Sequence, residues 1–467
     1  MFRNLYPRFF LLLALLFAGC LGTGKLVEEE TLPEPQEEDV YSQVEQSLRA
    51  GDSEAALKIL EKVIAEDPED LNGGLFFSAM AASQGRFSEA RETLDRLLAR
   101  YPETDPGARS ANTRILLQLA VLEGAQGRAA EEFALLSMLQ EREPETSDVW
   151  SALGDYYLRR GDPQTAGEMY LRALDIDPYN LNALAGGGTA ALADRDYIKA
   201  EDLLDRFVRI EDSDGYVYAD RAKARMGQAK FREAETDLTR AVELNPDYWN
   251  YIDRGKLRLM NLGRVDDALE DFTRAAEIDP DYFYAYVFRA GILDNRDRFS
   301  EAIADYKTLL RLNPDYTFAY KSLGILQYIT GDWEGARNSL LESSRHEDDT
   351  GLLFLAGYTY YRQGREREGR NYFTDLVNKI PQTNHFYGIG RTLLEPGYVV
   401  FVQRSLELER DLFVKTRMKF YLGAAYEALA GAVAAAPFYR EVQSMNLLGL
   451  YELRIAVKAL EAMGDRG

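Results

Sequence analysis

Apolar residues in the stretch Ser147–Asn180 return at helical spacing. Trp150, Leu153, Gly154 and Tyr157 fall at i, i+3, i+4 and i+7, one face of a helix. Gly161-Asp162-Pro163 breaks that helix, and Pro163 suits the first turn of the next. Ala166, Met169, Tyr170 and Ala173 then mark a second apolar face, and Pro178 cannot continue it. Gly154 and Ala166 are small, so the two helices can approach closely while larger residues fill the space on either side. The same pattern recurs. Pro68, Pro102, Pro144, Pro178, Pro246, Pro280, Pro314 and Pro381 share one phase of a unit of 34 residues, with Asp212 and Asp348 in two other copies. One step, from Pro102 to Pro144, is 42. Twelve residues before each marker stands a small residue: Ala56, Ala90, Ala166, Ala200, Ala234, Ala268, Ala302, Ala336 and Gly369. The turn itself is repeated almost letter for letter, as LNPDY at Leu244–Tyr248, IDPDY at Ile278–Tyr282 and LNPDY at Leu312–Tyr316. In that turn proline ends a helix, and aspartate can cap the next one. The pattern predicts about two dozen helices and no sheet.

The set Trp150, Leu153, Gly154, Tyr157, Ala166, Tyr170, Ala173 and Pro178 resembles the tetratricopeptide repeat, W-x2-L-G-x2-Y then A-x3-F/Y-x2-A then P. The resemblance implies an all-α solenoid, a right-handed superhelix of helical hairpins with 10–12 repeats. Ten units run from Glu37 to Thr383. Two weaker ones follow, carried by Gly390, Gly397 and Leu406, then by Leu422, Gly423, Tyr426, Ala435 and Tyr439. A last helix over Leu447–Met463 would cap the open end. Unit three departs from the pattern, with Glu132 at the small position and an insertion near 105–112. Residues 37–146 thus read as N-terminal units, 147–383 as regular units and 384–467 as divergent units with the cap. The insertion is the expected hinge or subdomain boundary.

Charge narrows the function. The formal net charge is −22, from 77 acidic against 55 basic residues, a surface that repels nucleic acid. One cysteine, Cys20, excludes an internal disulfide, and the only histidines, His346 and His385, have no metal-ligand spacing. No metal or cofactor is expected. Gly186-Gly187-Gly188 lacks the strand and the Lys-Ser/Thr pair of a phosphate loop, so close helix packing explains it better. No catalytic constellation stands out, and an enzyme is not expected.

The first residues carry Arg3 and Arg8 before a ten-residue apolar run, Phe9–Ala18, too short to span a bilayer stably. This is the pattern of a secretory signal, residues 1–19. Its end, Phe17-Ala18-Gly19-Cys20, is similar to a bacterial lipobox, which implies lipidation of Cys20 and a membrane anchor; Phe17 replaces the usual leucine. Residues 20–36, rich in acids with Pro33 and Pro35, form a tether. By the sorting rule that the resemblance brings, Leu21 after the cysteine favours the outer membrane.

The two resemblances together imply a lipid-anchored envelope scaffold that binds proteins or peptides in a concave groove. The alternative is a surface adhesin for host molecules; the partner and the oligomeric state are not written in the sequence. In this family the first helix of each unit lines the groove. Carried onto units eight to ten, that selects Tyr284, Phe288, Asp294, Phe318, Lys321, Tyr328, Phe354, Tyr358, Tyr361 and Arg362. The competing reading is that these rings merely pack one unit on the next. In units four and five the matching positions, Asp148, Ser151, Ala152, Asn182 and Ala185, are small or polar.

Overall fold

The computed structural model describes residues 40–49 and 52–464. The signal segment 1–19, Cys20 and the tether 20–36 lie outside the described residues. The chain is 80% helical, with 25 α-helices and no strand among the described residues. They run as consecutive hairpins. The first six pair α1 (Val40–Arg49) with α2 (Ser53–Glu66), α3 (Leu71–Ser83) with α4 (Phe87–Arg100), α5 (Arg109–Ala125) with α6 (Ala129–Arg142), α7 (Ser147–Arg159) with α8 (Pro163–Ile176), α9 (Leu181–Ala193) with α10 (Tyr197–Ile210), and α11 (Gly215–Gly227) with α12 (Phe231–Leu244); α13 (Tyr248–Met260) and α14 (Val265–Ile278) follow in the chain. The next three are α15 (Phe283–Asn295) with α16 (Phe299–Leu312), α17 (Phe318–Thr330) with α18 (Trp333–Ser343), and α19 (Thr350–Arg362) with α20 (Glu366–Val377). The divergent units follow as α21 (His385–Leu394) with α22 (Val399–Leu408) and α23 (Leu412–Ala430) with α24 (Ala432–Met445), and the chain closes on α25 (Tyr451–Ala462).

The turns between repeats follow from the residue before proline, which is pushed out of the helical region. Asp177, Asp279 and Asn313 are each the C-cap of a second helix, with φ of −129°, −126° and −143°. Their side chains close the turn by accepting from the backbone N–H two residues on, at 3.0, 3.0 and 3.1 Å. The expected capping role of the motif aspartate holds in one copy of three. Asp247 accepts from Asn250 N at 2.9 Å, because α13 starts two residues after Pro246. The helices after Pro280 and Pro314 start one and two residues later, and their N-caps are Tyr282 and Thr317, with no side-chain bond.

Ahead of nine second helices, from α4 to α20, the residue two before the helix is left-handed. Glycine takes that place at Gly85, Gly127, Gly161, Gly263, Gly331 and Gly364, whereas Arg195, Ala229 and Asp297 adopt it with a side chain. The small-residue ruler is wholly interior: Ala56, Ala90, Ala166, Ala200, Ala234, Ala268, Ala302 and Ala336 are inaccessible to solvent. Glu132 breaks the ruler but is also buried. It lies over Gly124, where a β-carbon would come within 2.8 Å of its carboxyl carbon, and it pairs with Arg159 of the next repeat. Burial raises its pKa.

The chain divides into two compact units, residues 1–262 and 263–467. The division falls between α13 and α14. The insertion, expected to mark a boundary, lies inside unit one, where Pro106–Ala108 form a short 3-10 turn leading into α5. Large interior side chains of unit one include Leu94, Leu97, Tyr170 and Phe207; those of unit two include Phe272, Phe354, Phe373, Phe420, Tyr421 and Tyr439. Among the described residues, no helix is long and apolar enough to cross a membrane.

Candidate functional site

In unit one, the first helices of repeats four to six carry a row of polar groups. Tyr170 hydroxyl donates to Asp155 Oδ1 at 2.6 Å, and Asn182 Nδ2 donates to Asp155 Oδ2 at 3.0 Å and to Ser151 Oγ at 2.7 Å. Asn180 Nδ2 donates to Asp148 Oδ1 at 2.8 Å. Farther along, Thr189 hydroxyl donates to Asp220 Oδ2 at 3.3 Å, and Lys223 pairs with Asp220 at 2.9 Å. Burial raises the pKa of Asp155, and the charge of Arg159 opposes that rise. The hydrogen bonds to Asp155 and to exposed Asp148 come from neutral amide and hydroxyl donors. A half-buried carboxylate in such a row is a candidate for receiving a further positive charge.

Glycine makes this row possible. A β-carbon on Gly154 would stand 2.6 Å from Tyr170 Cε1, and one on Gly186 would stand 2.4 Å from Tyr170 Cζ. The ring is therefore wedged between the first helices of two successive repeats, with its hydroxyl delivered to Asp155. Gly188 likewise faces the Leu204 side chain, at 2.6 Å from where its β-carbon would stand. The Gly186–Gly188 run is a packing surface. Sequence reasoning named Asp148, Ser151 and Asn182 at matching first-helix positions but did not single out Asp155, whose only signal is its place after Leu153-Gly154.

In unit two, the ten aromatic and charged candidates do not form one open groove. Tyr284 and Phe318 are exposed, at 56% and 79%. Phe288 stacks on Phe272 of α14, with centroids 4.9 Å apart and planes 15° apart. Tyr361 is half-buried beside Phe373. Tyr328, Phe354 and Tyr358 are buried, at 3%, 0% and 2%. That placement corrects the expectation of an open aromatic groove, and the reason is the chain's own C-terminus. Phe354 and Tyr358 meet the Tyr421 ring of α23, and Tyr358 hydroxyl donates to Tyr421 O at 2.8 Å. Arg362 pairs with Glu427 of the same helix at 2.7 Å and lies over the Trp333 ring. Lys321 pairs with Glu347 at 2.6 Å and sits 5.3 Å above the Tyr451 ring of α25. Asp294 receives Arg454 of α25. Tyr421, Glu427, Tyr451 and Arg454 were not legible as partners, because they stand from 63 to 160 residues away along the chain.

No group of three or more Asp, Glu, His or Cys side chains is disposed to hold a metal ion among the described residues. Tandem helical hairpins with small-residue seams and partly open inner faces define a helical-repeat protein. Two tetratricopeptide-repeat family models match the chain, one over residues 47–115 and the other over 128–180, 257–317 and 292–351. These matched segments carry tetratricopeptide repeats. Similar solved structures include YrrB, described as a TPR protein with an unusual peptide-binding site, at 21% identity and a TM-score of 0.35 over 39% of this chain and 95% of that one. MamA 41-end from Desulfovibrio magneticus RS-1 aligns at 19% identity and a TM-score of 0.34, over 36% and 96%. Pseudomonas aeruginosa PilF aligns at 17% and 0.40, over 45% and 95%. No curated protein matches in sequence. Tetratricopeptide-repeat proteins mediate protein–protein interaction and peptide binding, and the scaffold is generally non-catalytic.

Proposed function

We propose that this protein is a lipid-anchored scaffold of a bacterial cell envelope that holds segments of partner proteins on the first-helix face of repeats four and five. One observation carries the reading. Asp155 is a half-buried carboxylate whose hydrogen bonds come from the neutral Tyr170 and Asn182, with Arg159 acting on it through its charge, and exposed Asp148 lies on the same helix, so a lysine, an arginine or a terminal amine of a bound peptide would add a direct charged contact to this acidic row. Ser151 and Asn182 offer hydroxyl and amide groups beside them for peptide backbone. The acidic surface disfavours nucleic acid as the partner. Anchoring rests on the position of Cys20 behind its apolar run.

A photo-crosslinking residue at Ala152, in the full chain and in its native membranes, tests the reading. A distinct partner should crosslink there, and Asp155→Asn should weaken its capture. Equal capture from Glu168 on a second helix would refute the assignment. Protease treatment of intact cells separates the envelope scaffold from the adhesin: the scaffold survives, and the adhesin is cleaved.

A further inference from the structure

The last helix, α25, presents two different sides. Leu453, Ile455, Ala456 and Leu460 are buried, and the helix packs along α24. Tyr451, Arg454 and Lys458 form a stripe at i, i+3 and i+7 on another side. That stripe meets the turn regions of repeats eight to ten. Arg454 pairs with the Asp294 carboxylate, and its Nη2 donates to Asp294 O at 2.6 Å and to Asp297 Oδ1 at 3.0 Å. Lys458 reaches Asp297 Oδ2 at 2.7 Å. Both cations lie over the Phe299 ring, at 5.1 and 5.7 Å. Tyr451 hydroxyl donates to Asp349 Oδ2 at 2.9 Å.

The receiving surface is suited to a cationic helix. Asp294 O lies in the last turn of α15, where the helix dipole favours a guanidinium, and it also accepts from Asp297 N at 3.1 Å. Asp297 adopts φ +55° at the place where six other inter-helix turns use glycine, so a side chain is held there against backbone preference. Arg195 and Ala229 do the same elsewhere, but Asp297 delivers its carboxylate to two cations of α25. The contact is also poorly shielded from water, since the Asp297 side chain is 47% exposed. A short linker in which Asn446 and Gly449 are both left-handed joins α24 to α25.

We infer that α25 is an internal ligand, and that the surface under it is a binding site for a partner helix with an aromatic residue, an arginine three positions on and a lysine four beyond. In the resting chain the site is filled in cis. A partner helix of the same chemistry competes for Asp294, Asp297, Phe299 and Asp349, and binding opens the C-terminus. This surface shares no residue with the row on repeats four and five, so either assignment can fail without the other.

The probe is a fluorescent synthetic peptide spanning residues 450–463, added to the full-length protein. In Arg454→Glu with Lys458→Glu, amide exchange in α25 should quicken, and the peptide should bind at least about tenfold more tightly than to the wild type, whose site is mostly occupied. Adding Asp294→Lys and Asp297→Lys to that variant restores opposite charges in cis. It should return α25 to slow exchange and abolish peptide binding, which also shows that the first variant is folded. Peptide binding to neither the wild type nor the first variant overturns the proposal and makes α25 a permanent cap. Binding that survives the fourfold variant overturns it as well, by placing the site elsewhere.

Discussion

Consider Gly186→Ala. The new methyl would stand 2.4 Å from Tyr170 Cζ and 2.6 Å from its hydroxyl oxygen, well inside the ~3.5 Å at which carbon atoms begin to repel. The ring cannot retreat. Gly154 leaves no spare room on the other first helix, and the hydroxyl is tied to Asp155 at 2.6 Å. Overpacking of this kind costs about 1–3 kcal/mol. Weakening a hydrogen bond to a charged group costs about 1.5–3 kcal/mol more. Alanine gains about 1 kcal/mol over glycine in a helix interior. The net is a destabilisation on the order of 2–4 kcal/mol, local to repeats four and five because each repeat leans mainly on its neighbours. Gly167→Ala is the control: it is also helical, but its β-carbon would meet nothing within 4 Å, so only the propensity gain of up to ~1 kcal/mol remains. Native-state hydrogen exchange over residues 147–193 reads both. Gly186→Ala should speed exchange roughly 30- to 1000-fold, and Gly167→Ala should slow it. Unchanged or slower exchange in Gly186→Ala would refute the wedge.

Three further outcomes follow from the same geometry. Phe354→Ala should cost about 3–5 kcal/mol in urea unfolding, because the ring is fully buried, whereas exposed Phe318→Ala should stay within about 0.5 kcal/mol; similar losses for both would contradict the burial. Burial raises the Asp155 carboxyl above its unfolded value, so the folded state holds that proton more tightly. Its contribution to stability is therefore fullest at low pH and is lost as pH rises from about 3.9 through the raised value, and Asp155→Asn should flatten that decline in a stability–pH series. Labelled palmitate should mark the wild-type protein and not Cys20→Ser; equal labelling of both removes the anchor.

The hairpins were legible because their causes are local. A proline at a fixed phase, a glycine before the second helix and an apolar residue every third or fourth position act within one repeat, so the sequence of that repeat contains the whole argument. Even the Gly186–Gly188 run could be read as packing rather than phosphate binding. The motif aspartates show where local reading thins out. Asp247 caps a helix and its counterparts do not, because the turns after Pro280 and Pro314 run one or two residues longer.

The inner face was another matter. Family position correctly puts Phe354, Tyr358 and Arg362 on the first-helix side, but not what lies against them. Whether such a ring faces a ligand or a core depends on chain that arrives much later. Tyr421 and Glu427 on α23 cover those three, and Arg454 on α25 reaches Asp294 across 160 residues. Periodicity carries no information about a contact at that separation, since α23 and α25 have ordinary helical patterns of their own. The sequence by itself determined a tandem array of helical hairpins and the residue types along its inner face. Only the tertiary structure decided that the face of unit two is filled by its own C-terminal helices, because filling it requires the chain to return on itself, and that return is a property of accumulated helix packing that no single repeat encodes.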